Sequence, residues 1–235
     1  ELNQPLVGVR GLAEHLLLAA RRGWQMSEER NRQKLENIID QADRMANIIQ
    51  HVRTFSREEA SSDLRPVDLN EAVTGALSFL GAQIENRGIK IEKDLDASLP
   101  YVSANPFTLE EVILNCLTNA RDAVREKMEN ESDETSSLNI TLQSYRLEDK
   151  DTGKIYGVLC VEDTGTGISP EKMGCVFDPF YTTKEPDQGI GLGLSIAKSS
   201  VEKFGGSIEL NSQLDAGTTV KITLPAAQKE SPNAE

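Results

Sequence analysis

Histidine, cysteine, basic charge and long apolar runs are all scarce in this 235-residue chain, and each scarcity removes a class of function. Two histidines and three cysteines (Cys116, Cys160 and Cys175) are scattered with no CxxC pair, so metal-ligand spacing is absent. An odd, unpaired set of thiols fits a reducing compartment, with each cysteine serving as a small apolar filler. The longest apolar run, LLLAA at 16–20, falls far short of the ~20 residues that span a bilayer. No signal peptide is visible, so membrane contact by this segment is not expected. Lys and Arg number 25 against 38 Asp and Glu, a net charge of -13. Nucleic-acid binding needs a basic face, so no nucleic acid is expected, and any anionic ligand must be held by a local device.

What is present begins with helical periodicity. Leu2, Leu6, Val9, Leu12 or Ala13, Leu16 and Ala20 recur at three- and four-residue steps and line one helix face. Arg21 and Arg22 suit its C-terminus, and Gly23 suits a left-handed stop. Ser27 with Glu28 and Glu29 reads as the cap of a second helix. There Leu35, Ile38, Ala42, Met45, Ile49 and Val52 form a heptad seam, widened by Ile39, Ile48 and Phe55. Two stripes too broad to cover each other predict pairing with a second copy into a four-helix bundle. The alternative is a hairpin packed on its own globular domain.

SREEASSDLRP (56–66) is polar and ends in proline, so the helical region spans 1–60 and a linker covers 61–66. Beyond it the period changes. Val67–Leu69 is a short strand candidate, Asn70 is expected to cap a helix running to about Asn86, and 89–95 alternates as a half-buried strand. A helix is expected at about Pro106–Met128, an acidic, serine-rich loop at 130–138, strands at 138–147 and 155–163, and a last hairpin at 206–212 and 218–224. The fold class is α+β: a helical hairpin, then an α/β sandwich over 67–227 with one mixed sheet and helices on one face. A frayed tail is expected at 228–235.

Three segments of the second domain carry chemistry. On a helix, Glu111, Asn115, Asn119 and Asp122 share a face at steps of four, four and three. An amide there can offer a neutral oxygen to magnesium; a face that merely meets solvent is the competing reading. Second, Glu162-Asp163-Thr164-Gly165-Thr166-Gly167 ends a strand in a carboxylate and turns on two glycines. An ionised Asp only accepts hydrogen bonds, so it can take an amino proton from adenine, with backbone lying close to the base. DxGxG alone is a weak signal. Third, Gly189-Ile190-Gly191-Leu192-Gly193 opens an apolar helix, offering backbone N–H groups and the positive end of a helix to phosphates. The glycine spacing is wrong for a dinucleotide fingerprint, and no strand leads into it. A loop containing Phe177-Asp178-Pro179-Phe180-Tyr181-Thr182-Thr183-Lys184 precedes it, long enough to act as a lid.

ExxxNxxxNA, DxGxG, FDPFYTTK, GxGLGLSI and Gly217-Thr218-Thr219, in this order across 66–225, closely resemble the catalytic and ATP-binding domain of bacterial sensor histidine kinases. Its fold is the Bergerat type shared with gyrase and mismatch-repair ATPases. The hairpin at 1–60 resembles the dimerisation and phosphotransfer domain of the same kinases. The resemblance implies ATP and Mg2+ as cofactors, a cytoplasmic homodimer, and a response regulator receiver domain as partner. It implies Asp163, with Gly165 and Gly167, for adenine; Asn119 for magnesium; and Asn115 and Asp122 for ordering phosphates and waters. Thr182, Thr183 and Lys184 belong to the lid; Gly189, Gly191, Leu192 and Gly193 to the phosphate loop; Thr218 or Thr219 to the far side of the base pocket. ATPases of the fold place a glutamate where Asn115 stands, and an amide is a poor base, which favours transfer over hydrolysis.

In these kinases the first helix carries His-Glu-Leu-Asn-Gln-Pro-Leu or a near relative, and this chain reads Glu1-Leu-Asn-Gln4-Pro5-Leu. The phospho-accepting histidine is therefore expected immediately before Glu1, with Glu1 accepting its ring proton. Gln4 takes the place of a Thr or Asn that positions water for dephosphorylating the regulator; being one methylene longer, it leaves that activity open. His15 and His51 read as ordinary bundle residues. Two other readings remain at this point: a Bergerat-fold serine kinase of anti-sigma type, and a non-catalytic ATP-sensing scaffold.

Overall fold

The structure, a computed structural model, describes residues 3–24, 26–39, 41, 42, 45, 63–130, 138–183 and 191–227. The chain divides into two units, Glu1–Ser62 and Asp63–Glu235.

In the first unit α1 runs Asn3–Arg22 and a second helix, α2, covers 28–39 with 41, 42 and 45 also helical. Gly23 takes φ +63, so the chain turns back and Trp24 donates its N–H to the Ala19 carbonyl at 3.0 Å. Ser27 Oγ accepts from the N–H of Arg30 and caps α2. On α1 the fully buried small residue is Ala19, where Ala20 was expected; Ala20 is exposed. Leu6, Leu35 and Ile39 of the anticipated stripes are each more than half exposed (53%, 52% and 53%). A single hairpin has too little facing surface to cover them. His15 stacks at a tilt on Trp24, ring centroids 6.4 Å apart, and the Arg22 guanidinium lies 5.5 Å from the Trp24 ring. Ile48, Ile49, Val52 and Phe55 of the seam, His51, the linker at 61–62, the loop at 131–137 and the tail at 228–235 lie outside the described residues.

The second unit opens with β1 (Arg65–Val67), which pairs antiparallel with β3 (Val102–Ala104). Arg65 and Pro66 thus belong to a strand, whereas the sequence reads them as linker. Asp68, rather than Asn70, caps α3 (Leu69–Asn86): its carboxylate accepts from the N–H groups of Asn70 and Glu71. Asn70 ties the helix to the sheet instead, donating Nδ2 to the Asp96 carbonyl and accepting from Ser144 Oγ.

The main sheet adds β2 (Lys90–Leu95), β4 (Asn139–Glu148), β5 (Ile155–Asp163), β6 (Ser207–Gln213) and β7 (Gly217–Pro225). Its order is β2-β4-β5-β7-β6, with β2–β4 parallel and the other pairs antiparallel, which makes it mixed. A parallel pair requires a crossover, and α4 (Pro106–Asn130) supplies it between β2 and β4. Beyond β5 lie the short α5 (Pro170–Met173) and then α6 (Gly193–Lys203). Inward residues Ile140, Leu142, Leu159, Val161, Ile222 and Leu224 alternate along the strands and join Ile113, Leu117, Val124, Ala197 and Val201 of α4 and α6 in one core. Burial of this kind contributes ~25 cal/mol per Å² of apolar surface, and it packs α4 against the sheet. Cys116 is part of that core, where burial pushes its thiol up to about 12, so it is a filler. No helix among the described residues is long and apolar enough to cross a membrane.

Candidate functional site

The site forms where the central strand β5 ends. Asp163, its last residue, faces Ile140 on one side and Thr218 on the other and is 6% exposed. Gly165 donates its N–H to Asp163 Oδ1 at 2.8 Å. The carboxyl is pushed up to about 6 by burial; the N–H groups of Gly165 and Thr218 and the charge of Lys127 oppose the rise, and Glu162 adds to it. A buried acceptor held by two backbone N–H groups is suited to an amino donor arriving with a ligand.

Two elements clamp the loop after Asp163. Toward α4, Thr166 donates its N–H to the Ala123 carbonyl at 3.3 Å, and a Cβ on Gly165 would stand 2.5 Å from the Ala123 carbonyl carbon. Toward the β6–β7 turn, Asp215 donates to the Thr166 carbonyl at 2.8 Å and Ile168 to Ser212 Oγ at 2.8 Å. Gly167, at φ +65, would drive a Cβ to 2.0 Å from the Gln213 carbonyl oxygen. The DxGxG glycines are therefore required by close approach within the protein itself, besides any approach to a base. Gly217 and Thr218 form the far wall: a Cβ on Gly217 would meet the Asp163 carbonyl, and Thr218 Oγ1 lies 2.8 Å from Ser212 Oγ. Thr219 projects to the other face of β7 and is half-buried, so only Thr218 of the pair lies with Asp163.

The polar face of α4 meets the start of α6. Asn115 packs against Gly193, where a Cβ would be 3.6 Å from its Cγ, and its Nδ2 is buried without a hydrogen-bond partner among the described residues. Asn119, one turn on, is half-buried. Asp122 Oδ1 is occupied by its neighbour Arg121, through Nε at 3.0 Å and Nη2 at 2.8 Å, so this carboxylate is partly neutralised. At the N-terminus of α6, Leu192 provides no side-chain cap, which leaves first-turn N–H groups for an anion. Ser195 Oγ turns back to the Leu192 carbonyl at 2.9 Å.

The lid segment is pinned at its base. Phe180 donates its N–H to the Gly191 carbonyl at 2.9 Å, and Gly191, at φ +71, leaves no room for a Cβ beside Tyr181. Phe180 itself stands at φ +66 and is 71% exposed, a strained conformation for an aromatic residue. Thr182 and Thr183 are exposed; Lys184 and Gly189 lie outside the described residues, as does Glu1, and Gln4 is placed on α1 without a described side chain. Among the described residues no cluster of His, Cys, Asp or Glu could hold a metal ion. Asp163, Gly165, Gly167 and Thr218 thus converge at one end of the sheet, and Asn115 meets the start of α6.

The model of the histidine kinase-, DNA gyrase B- and HSP90-like ATPase family matches residues 104–228, and that of the histidine kinase A phospho-acceptor domain matches 1–61. The chain belongs to the sensor histidine kinases. It is 35% identical over 205 residues to the sensor kinase CckA of Brucella abortus, covering 83% of this chain and 20% of that protein. It is 30% identical over 228 residues to the sensory histidine kinase/phosphatase NtrB of Rhizobium meliloti, covering 97% and 56%. The chain therefore spans between a fifth and somewhat more than half of these curated relatives. Among solved structures, the mycobacterial sensor histidine kinase MprB aligns with a TM-score of 0.55 at 25% identity, covering 69% of this chain and 97% of that one. Full-length ShkA in complex with AMPPNP shares the fold with a TM-score of 0.61 at 23% identity, covering 97% and 44%.

Sequence reasoning missed Ala123, Ser212 and Lys127 as builders of the site. A signal for two of them was present: Asn119, Ala123 and Lys127 recur every four residues and continue the Asn115 stripe of α4 by two turns.

Proposed function

We propose that this chain is the kinase core of a two-component system, moving the γ-phosphate of ATP to a histidine directly preceding Glu1 and then to an aspartate of a response regulator receiver domain. The observation that carries the reading is that one domain holds a buried acceptor, Asp163, at the end of β5 and the contact of Asn115 of α4 with Gly193 at the start of α6. Asp163 accepts a hydrogen bond from the adenine amino group, and Gly165, Gly167 and Thr218 shape the slot for the base. Gly189, Gly191, Leu192 and Gly193 are assigned to the phosphate loop, and Thr182, Thr183 and Lys184 to the lid. Asn115 and Asp122 order phosphates and waters.

Asn119 presents a hard, neutral oxygen that would hold a magnesium ion, which would offset the phosphate charge. An imidazole nitrogen forms the new N–P bond as the bond to the β,γ-bridging oxygen breaks and ADP departs; Glu1 takes the proton from the other ring nitrogen. Asn115 in place of a carboxylate leaves water unactivated, so the phosphoryl group survives for transfer. The exposed apolar residues of the hairpin, Leu6, Leu35 and Ile39 among them, support a homodimer through that unit. The core works on the cytoplasmic side.

The test is incubation with γ-labelled ATP and magnesium of the chain beginning at Glu1 and of the same chain preceded by a histidine, with Asn119→Ala as control. Acid-labile label is expected only in the histidine-bearing protein and not in the control. Nucleotide binding without label in either protein would refute the kinase reading.

A further inference from the structure

Lys127 stands one turn beyond Ala123 on α4, on the same stripe as Asn119. Its Nζ donates to the carbonyl of Asp215 at 2.8 Å, joining residues 88 positions apart in the chain. Asp215 donates its own N–H to the Thr166 carbonyl at 2.8 Å, and Thr166 donates back to Ala123 of α4 at 3.3 Å. The contacts close a ring from α4 to the β6–β7 turn, to the loop after β5, and back to α4. Asp215 holds φ +61, unusual for a residue other than glycine, and both its N–H and its carbonyl are anchored by members of the ring. Asp163 lies beside it: Gly217, two residues past Asp215, is in contact with the Asp163 carbonyl. The charged groups acting on the Asp163 carboxyl are Glu162 of its own strand, which opposes ionisation, and Lys127 of α4, which favours it.

We infer that Lys127 is a positioning residue of the base pocket, holding the β6–β7 turn against the Asp163 loop and supplying the positive charge that keeps this carboxylate ready to accept. The inference rests on the adenine reading of Asp163. Lys127 makes no contact with the base in this role; it acts through the turn and through the field at Asp163. Its side chain is half-buried rather than core, so replacing it leaves the helix packing of Val124 and Ala120 in place.

The test compares ADP binding, measured by calorimetry between pH 5.5 and 8.5, in the wild-type chain, Lys127→Met and Lys127→Arg. Methionine keeps the apolar stem and removes the donor and charge, so at pH 7.5 affinity is expected to fall about three- to tenfold, the range of one hydrogen bond. The pH midpoint of binding is expected to move upward in the methionine variant, and arginine should restore both. A methionine variant that binds like wild type, or that loses the same factor at every pH with an unmoved midpoint, would overturn the inference while leaving the adenine reading intact. Failure of the wild-type chain to bind ADP would overturn the adenine reading and the role of Lys127 together.

Discussion

Replacing Asp163 with asparagine should stabilise the ligand-free domain at neutral pH while damaging nucleotide binding, and the stability gain should depend on pH. The carboxyl ordinarily titrates near 3.8 and burial pushes it up to about 6 in the folded chain. A folded value above the unfolded one means the group favours folding fully below pH 3.8, and that contribution is lost as pH rises through about 6. The difference of about 2 units corresponds to about 3 kcal/mol over the whole span from well below pH 3.8 to above pH 6. Asparagine has nearly the same shape and does not titrate, so it escapes this loss. Its cost appears on binding: a hydrogen bond to a charged acceptor contributes ~1.5–3 kcal/mol, so affinity for adenine nucleotides should drop about 10- to 150-fold. Urea denaturation of both proteins at pH 4.5, 6 and 7.5 measures the first effect, and ADP titration at pH 7.5 measures the second. The reasoning is refuted if the stability difference between the proteins is the same at all three pH values, because the buried ionisation would then be absent.

In the wild-type chain, ADP affinity should weaken as pH falls through about 6, toward tenfold per unit, because protonated Asp163 no longer accepts from the base; calorimetry across that range checks the sign. Gly165→Ala places a Cβ 2.5 Å from the Ala123 backbone, so the loop must leave α4; a loss of about 1–3 kcal/mol in chemical denaturation, with ADP binding abolished, is expected. In the hairpin, Leu35→Glu combined with Ile39→Glu puts charge on two exposed apolar positions, so sedimentation should show a dimer for the parent chain and a monomer for the variant, with ADP binding retained.

Much of the catalytic domain was legible because its elements carry local signals. The alternation of β4 and β5, the apolar face of α4 and the Gly23 stop each follow from a few neighbouring residues and from backbone sterics. Errors arose where a short element depends on a distant partner. β3 is three residues long and exists because Val102, Ser103 and Ala104 pair with β1, so no periodicity announces it. The capping role passed from Asn70 to Asp68 because Asn70 is engaged by Asp96 and Ser144, residues remote in the chain. The shift from Ala20 to Ala19 shows that a stripe read on an ideal helix can rotate by one position when the facing helix decides which residues are covered.

The motifs, their order and the chemistry open to each were determined by residue types alone: only a carboxylate can be an acceptor without a proton, and only glycine accommodates the positive φ at Gly167 and Gly191 with backbone so near. Tertiary structure decided what those residues experience. Asp163 becomes a buried acceptor titrating near 6 because β5 ends between β4 and β7, and Lys127 joins the site because folding carries the β6–β7 turn to α4. Desolvation and hydrogen bonds across 88 residues of chain depend on three-dimensional proximity, which local periodicity does not encode.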